Sequence, residues 1–384
     1  MSKGEADLVL TNARVVLADR VIAHGWVAVA AGVIVEVGEG EAPERGEDVA
    51  GDIVMPGLVE LNTDHLEAHY VPRPKVYWDP IAAVVSYDGQ IATSGITTVL
   101  DSLRVWREEL IEGVDGDAAK LASAIATARD ADLLRCEHFL HLRCEIPMPG
   151  VVDEASELIG RADVRLASLM DHTPGQRQFR DEAKLRVYYR GKNGGMTDRE
   201  LDHLFARRLE LQALHGEANH RTLVALAHAH GTPLASHDDT TAEHVAEAVQ
   251  DGVAIAEFPT TFEAAEALHD AGIRVLMGAP NLVLGRSHSG NVASRELAVA
   301  GLLDILSSDY VPSSLLHSAF LLHRSGAMAL PEAVAKVSAN PARVLGLADR
   351  GEIAPGKRGD LVRVGACGDM PVARQVWRAG ERVA

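Results

Sequence analysis

Between residues 56 and 347 the chain alternates strand-length apolar runs with helix-length segments, eight times over. The runs are Leu58–Asn62, Thr97–Leu100, His138–Glu145, Arg165–Asp171, Pro233–His237, Ile255–Phe258, Arg274–Met277 and Asp304–Ser308. Most are short and apolar, as strands buried on both faces of a parallel sheet must be. The stretches between them, such as GDAAKLASAIATARDAD and TAEHVAEAVQDG, carry helical patterns. Eight strand–helix units predict an α/β fold, a (β/α)8 TIM barrel over 56–347. The chain is 47% hydrophobic, enough apolar surface for a core of that size.

The two ends read differently. DLVLTNARVV and WVAVAAGVIVEVGEG near the start, and GEIAPGKRGDLVRVGA and ARQVWRAGERV near the finish, are apolar runs separated by turns. Residues 1–55 plus 348–384 are expected to pair into one small β-sandwich, since domain termini often lie close together.

The polar residues fall where a barrel puts chemistry. Strand ends carry Asn62, Asp64 and His65, then Asp101, Glu145, Asp171 and His172, His237, Asp238 and Asp239, Glu257, Asn281, and Asp309. All eight carboxyl ends converge on one face of a barrel. Carboxylates and imidazoles crowded there would be costly without compensation, and divalent cations are the simplest compensation. Imidazole with carboxylate favours zinc, manganese or iron over calcium. His172 and His237, each closing an apolar strand, are expected to ligate one or two such ions. Two-residue alternation puts His141, Arg143 and Glu145 on one face of the third strand, where Arg143 either meets an ion-pair partner or faces substrate. His228 and His230 end a helix before Gly231 and read as structural; His203, His215 and His220 read as solvated.

A net charge of −18 argues against nucleic acid or an anionic membrane as partner. Residues Met1 to Asp7 are polar and no 18-residue apolar run occurs, so neither a signal peptide nor a membrane span is expected. Three cysteines, Cys136, Cys144 and Cys367, lie in no metal-type spacing, which suits a reducing cytoplasm. Against this acidic background, three loops look built for anions. VPRPKV holds Arg73 and Lys75 after the first strand; HTPGQRQF holds Gln176 and Arg177 after the fourth. The loop after the seventh holds Gly285, Arg286, Ser287, His288, Ser289, Gly290 and Asn291. Gly and Ser let backbone N–H groups approach an anion at a helix start. No GxxxxGK is present, which excludes a P-loop enzyme.

The entry MPGLVEL, placed between two halves of a small β-unit, resembles the amidohydrolase superfamily. Longer words — SGITTVLD, HLRCE, SLMDHTPGQRQF, LASHDD, IAEFPTTFEAAEA, VLMGAPN, GRSHSGNVA and GLLDILSSDY — are similar to the α-D-ribose 1-methylphosphonate 5-triphosphate diphosphatases of the carbon–phosphorus lyase pathway, along nearly the whole chain. That resemblance implies a cytoplasmic hydrolase cleaving a ribose 5-triphosphate between the α and β phosphorus atoms, with pyrophosphate as the leaving product. It implies Asp64, Glu145, His172, His237 and Asp309 as metal ligands; the position of Glu145 suits a bridging carboxylate, and the chemistry of a bound water expects Asp309 to take its proton. It further implies Arg73, Lys75, Arg143, Gln176, Arg177, Asp239, Asn281, Arg286, His288 and Ser289 as substrate contacts. The expected partner is a small molecule, and self-association stays open.

The departure is at the first strand. The superfamily reads His-x-His, and the diphosphatases commonly His-Thr-Asp-Asn, where this chain has Asn62-Thr63-Asp64-His65. Either His65 swings in after the strand, or one ion is held more loosely with Asn62 as a weak oxygen ligand. Two alternatives share the fold. A cyclic-amide or imide hydrolase would leave the basic loops without a role, and a barrel that has lost its metals would be a non-catalytic scaffold.

Overall fold

The computed structural model describes residues 6–73, 75–106, 117–179, 182–192, 196–287 and 290–384. At the N-terminal end come β1 (Leu8–Val16), β2 (Val21–Ala30), β3 (Val33–Glu39), β4 (Glu47–Asp48) and β5 (Ile53–Pro56). The barrel strands follow as β6 (Leu58–Thr63), β7 (Ile96–Arg104), β8 (Glu137–Glu145), β9 (Val164–Met170), β10 (Leu234–His237), β11 (Ile255–Glu257), β12 (Arg274–Gly278) and β13 (Ile305–Ser307). The chain closes with β14 (Leu361–Cys367), β15 (Met370–Arg378) and β16 (Glu381–Arg382).

The two ends meet in one sheet, ordered β16-β15-β14-β5-β1-β2-β3, with β4 on β1. It encloses a core that includes Leu10, Val27, Ile34, Leu361 and Trp377. This sheet docks at the amino-terminal end of the barrel. There Arg350 and Arg358 both bond Glu137, and Gly57 N–H donates to the Asp360 carbonyl at 2.9 Å. The carboxyl ends of the barrel strands are left for chemistry.

β6 through β13 run parallel in sequence order. Alternation then layers the lumen. Val59, Leu61, Leu100, Leu166, Ala235, Ile255, Leu276 and Ile305, with Phe139 against them, make an apolar floor. Two residues further along, most of the same strands place Ser102, His141, Ser168, His237, Glu257 and Ser307 above it, as a period of two requires. A register shift between Glu60 and Thr63 turns Asn62 toward this polar layer.

Among the described residues no ladder joins β13 to β6. The seam is closed otherwise. Val59 N–H donates to the Val337 carbonyl (2.9 Å) and Leu306 N–H to the Lys336 carbonyl (3.0 Å), so a late segment is wedged between the strands. Higher up, Glu60 accepts the N–H groups of Asn62 (2.7 Å) and Ser308 (2.5 Å), and Thr63 Oγ1 donates to the Asp309 carbonyl (2.8 Å).

The connection from β9 to β10 is much longer than a single helix. It carries helices Glu182–Lys192, Asp198–Leu211 and Glu217–His230. The first two share their own core of Leu185, Tyr189, Leu201, Leu204 and Phe205. Helix Asp198–Leu211 begins with a capping box, Thr197 with Glu200, and brings Arg208 to the His172 carbonyl at 3.4 Å. His220, expected in solvent, instead pairs with Asp251 at 2.8 Å, while His228 donates to the Asp251 carbonyl at 2.9 Å at the end of its helix.

Outside the lumen, beneath helix Pro80–Thr93, His138 lies wholly buried between two aspartates. Its Nδ1 is 2.9 Å from Asp101 and its Nε2 3.2 Å from Asp88. Burial alone would strip the ring of its proton; the two carboxylates overcome that and hold its pKa at about 9. The folded value lies above the ordinary 6.5, so this stabilisation is complete below about pH 6.5 and is lost as pH rises through about 9. Thermal melts from pH 6 to 10 should show stability declining across that window. His138→Asn, which leaves the buried Asp101 without its imidazolium while Asp88 keeps the Arg135 and Cys136 N–H groups, should be less stable at pH 7 by roughly 3–5 kcal/mol and show a flatter pH response. A wild-type curve without the alkaline decline would mean the ring is neutral.

Candidate metal centre and anion site

Among the described residues, one group of three has the spacing of a metal site: His172, His237 and Asp238. Their ligand atoms all lie within 4.8 Å of one another, with Asp238 Oδ2 at 3.8 Å from His172 Nε2 and 3.6 Å from His237 Nε2. Bonds of about 2.0–2.2 Å from a single cation put its ligands about this far apart.

What lies behind the imidazoles is equally telling. His172 Nδ1 is held by Glu145 Oε2 at 2.6 Å, while the other Glu145 oxygen accepts the His172 N–H at 2.7 Å. His237 Nδ1 is held by Glu257 Oε2 at 3.0 Å. A carboxylate on Nδ1 fixes the tautomer and leaves Nε2 for the ion. Two nitrogens and a carboxylate oxygen fit a divalent ion of the zinc, manganese or iron kind. Burial pushes the His237 pKa down to about 3, helped by Arg143 and His172, so this ring is neutral and ready to ligate. For His172 burial pulls the same way, but the adjacent Glu145 carboxylate prevails and raises it.

Asp309 sits apart from the three. It follows β13 with a φ of +54°, and its Oδ2 would lie 3.3 Å from a Cβ placed on Gly278. Burial first, then the Asp64 carboxylate, raise its pKa to about 7. Asp64 directly precedes helix His65–Tyr70, and its carboxylate lies 3.5 Å from Arg143 Nη1 and 3.9 Å from Arg104. The Arg143 guanidinium, with one further bond to Met170 Sδ at 3.3 Å, is the cation of the inner mouth.

The polar layer beneath is a chain of hydrogen bonds. His141 Nδ1 donates to the Leu61 carbonyl (3.0 Å), which leaves the Ser102 hydroxyl to donate to Asn62 Oδ1 (3.1 Å). His141 Nε2 meets Ser168 Oγ at 2.5 Å, and Ser168 lies 2.8 Å from Glu257 Oε2. Burial holds the His141 pKa at about 4, so the ring is neutral.

Several expected residues stand elsewhere. His65 does not swing in: its Nε2 meets Gln90 Oε1 at 3.1 Å on an outer helix, beside His69. Asn62 has its oxygen engaged by Ser102, and Glu145 has both oxygens on His172, so neither joins the group of three. Arg177 is no phosphate contact; its guanidinium is buried and bonded to the His237 carbonyl (2.9 Å), Asp239 (2.9 Å) and Glu247 (3.0 Å). Asp239, gripped by Arg177 and Ser236, is tied into the same network. Gln176 donates to Asp171 at 2.6 Å. Asn281 pins the loop after β12, donating to the Val292 carbonyl (3.2 Å) and accepting the Ser294 N–H (3.0 Å). Arg73, Lys75 and Arg286 are exposed on loops after β6 and β12, and His288 and Ser289 lie outside the described residues.

Asp238, in contrast, was named only as a strand-end residue. Strict alternation turns it away from His237, but β10 ends at His237 and a φ of +57° at Asp238 swings its carboxylate back. Glu257, two residues beyond the lumen residue Ile255, was legible by alternation alone.

A model of the amidohydrolase family matches residues 216–380. Over 382 residues the chain is 45% identical to the α-D-ribose 1-methylphosphonate 5-triphosphate diphosphatase of Escherichia coli (strain K12), covering 98% of this chain and 100% of that protein. Among solved structures it is similar to the N-acetyl-D-glucosamine-6-phosphate deacetylase of Mycobacterium smegmatis (TM-score 0.63, 19% identity, 98% of this chain and 100% of that one). It is also similar to the 5-methylcytosine deaminase of Klebsiella pneumoniae liganded with phosphonocytosine (TM-score 0.64, 15% identity, 98% of each chain). At such identities these two establish the fold alone.

His237→Ala should lower bound metal per chain, measured by elemental analysis, and leave the circular dichroism of the fold intact; full metal retention would dissolve the assignment. Arg177→Gln and Arg143→Gln should separate. The first breaks a buried pair and should cost roughly 3–5 kcal/mol in unfolding free energy. The second should leave the melting temperature nearly unchanged while weakening an anionic ligand. Equal effects on stability would make Arg143 structural as well.

Proposed function

The chain belongs to the α-D-ribose 1-methylphosphonate 5-triphosphate diphosphatase family of the amidohydrolases, and on that premise we propose that it hydrolyses this triphosphate to the 5-phosphate and pyrophosphate. The observation that carries the proposal is the 45% identity to the E. coli diphosphatase along the whole of both chains. Amidohydrolases generally use divalent metals, and the donor set at the barrel mouth suits one.

His172, His237 and Asp238 would hold a divalent ion, which when bound would supply Lewis acidity at the barrel mouth. The chain's own residues do the rest. Glu145 and Glu257 keep the Nδ1 protons of the two imidazoles, so each Nε2 lone pair points into the site. A water oxygen forms a bond to the α phosphorus while the bond from that phosphorus to the oxygen bridging to the β phosphorus breaks. Asp309 takes the proton the water loses, and the electron pair of the broken bond leaves with pyrophosphate. Arg143 stands where charge builds on the phosphoryl oxygens, and Arg73, Lys75 and Arg286 on the rim receive the outer phosphates. The apolar floor below His141 and Ser168 keeps bulk water out of the lumen. The substrate class is a small anionic sugar phosphate. No helix among the described residues is long and apolar enough to cross a membrane. A cytoplasmic setting agrees with the unpaired Cys136, Cys144 and Cys367.

Phosphorus NMR of the reaction with the ribose triphosphate tests this directly. Pyrophosphate and a 5-monophosphate should grow in together; orthophosphate as the first product, or cleavage of a cyclic amide with no phosphate release, would reject it. Asp309→Asn is nearly isosteric but cannot accept a proton at neutral pH, so turnover should fall by about two to four orders of magnitude. Its metal content should hold, since His172, His237 and Asp238 are untouched.

A further inference from the structure

We propose that Glu60 is a positioning residue, which clamps β6 to β13 and so fixes the backbone from which Asp309 reaches the reacting water; this rests on the reading of Asp309 as proton acceptor.

Glu60 is fully buried on β6. One of its oxygens accepts the Asn62 N–H at 2.7 Å and the other the Ser308 N–H at 2.5 Å. A single carboxylate thus joins two strands that share no ladder. Ser308 directly precedes Asp309, and its carbonyl accepts the Val311 N–H at 2.9 Å. The Asp309 carbonyl is held by Thr63 Oγ1 at 2.8 Å. The residue between these ties has a φ of +54°. A non-glycine residue keeps such a conformation only where its surroundings over-determine it. Glu60 sits at the centre of that determination, and it does so from behind. Val59 and Leu61 flank it in the lumen floor, so the lumen layer at this level is made by its neighbours.

Only a carboxylate suits the place. Two N–H donors converge from different strands, and each needs an acceptor oxygen. A glutamine there satisfies one donor and turns its own –NH2 against the other. The same clamp also bears on the neighbouring strand β7, because the Glu60–Asn62 bond lies at the register shift that turns Asn62 toward Ser102.

The test is steady-state kinetics on the ribose triphosphate with full-length Glu60→Gln, alongside metal content and melting temperature. A displaced proton acceptor should lower kcat by about ten- to a hundredfold. KM should stay within about twofold and metal per chain unchanged, since phosphate contacts and ligands are intact. If Glu60→Gln does not fold, Thr63→Val cuts the second tie to Asp309 without touching a buried charge, and should lower kcat in the same selective way. A folded Glu60→Gln with wild-type kcat and a lower melting temperature overturns the proposal, leaving a seam bond only; so does wild-type kcat in Thr63→Val when Glu60→Gln fails to fold. Asp309→Asn run in parallel separates the two levels. If it keeps wild-type turnover, the proton-acceptor reading falls and this proposal with it. If it collapses while Glu60→Gln does not, the clamp alone is wrong.

Discussion

A buried carboxylate behind each of two imidazoles governs what the mouth of this barrel can hold. Glu145 and Glu257 take the Nδ1 sides of His172 and His237, at 2.6 and 3.0 Å. Each bond sets a tautomer and a ring angle before any ion arrives. The cost of burying carboxylates at a strand end is offset by those bonds. The remainder of the site is arranged around that fact. Asp238 completes the donor set from a neighbouring turn, and Arg143 stays close enough to balance charge without occupying a ligand position.

Backbone strain accompanies the arrangement. Asp238, Phe258 and Asp309 follow β10, β11 and β13, and all three have φ between +54° and +57°. Each such residue costs on the order of 1–3 kcal/mol. Three at strand ends on one face of the barrel, none of them glycine, mark a rim where side-chain direction outweighs backbone comfort. At Asp238 the turn brings a carboxylate beside the two histidines, where alternation would have pointed it away. At Asp309 it delivers a carboxylate whose burial and nearness to Asp64 lift it to about 7, a range suited to taking a proton at neutral pH. The barrel has its weakest closure at that same edge, where Glu60 and the wedge at Lys336–Val337 replace a strand ladder.

The basic residues divide by depth. Arg177 is buried, and its bonds to Asp239, Glu247 and the His237 carbonyl make it a brace for the strand end that carries His237. Arg143 reaches no carboxylate closer than 3.5 Å and keeps donors to offer. Arg73, Lys75 and Arg286 lie further out, on exposed loops. In a chain of net charge −18, these last two depths place positive charge at the mouth and on its exposed rim.

The eight barrel strands, the apolar floor and the polar layer above it follow from run length and a period of two, which are local properties of the chain. The observed strands begin and end within a few residues of the expected runs, except that β7 extends to Arg104. His172, His237 and Asp309 could be picked out as strand-end groups for the same reason. What local pattern could not supply was which strand-end groups meet. That depended on turns with positive φ, on a register shift in β6, and on the closing geometry between β13 and β6, all of which arise only when distant segments pack. So the sequence determined the barrel and the kinds of side chain at its mouth. The tertiary structure decided that Asp238 joins the histidines, that Glu145 orients one of them, that His65 turns outward, and that Arg177 is bound inside. For Glu145, His65 and Arg177 the hydrogen-bond partners that made those choices lie 25 to 70 residues away in the chain, beyond the reach of local pattern.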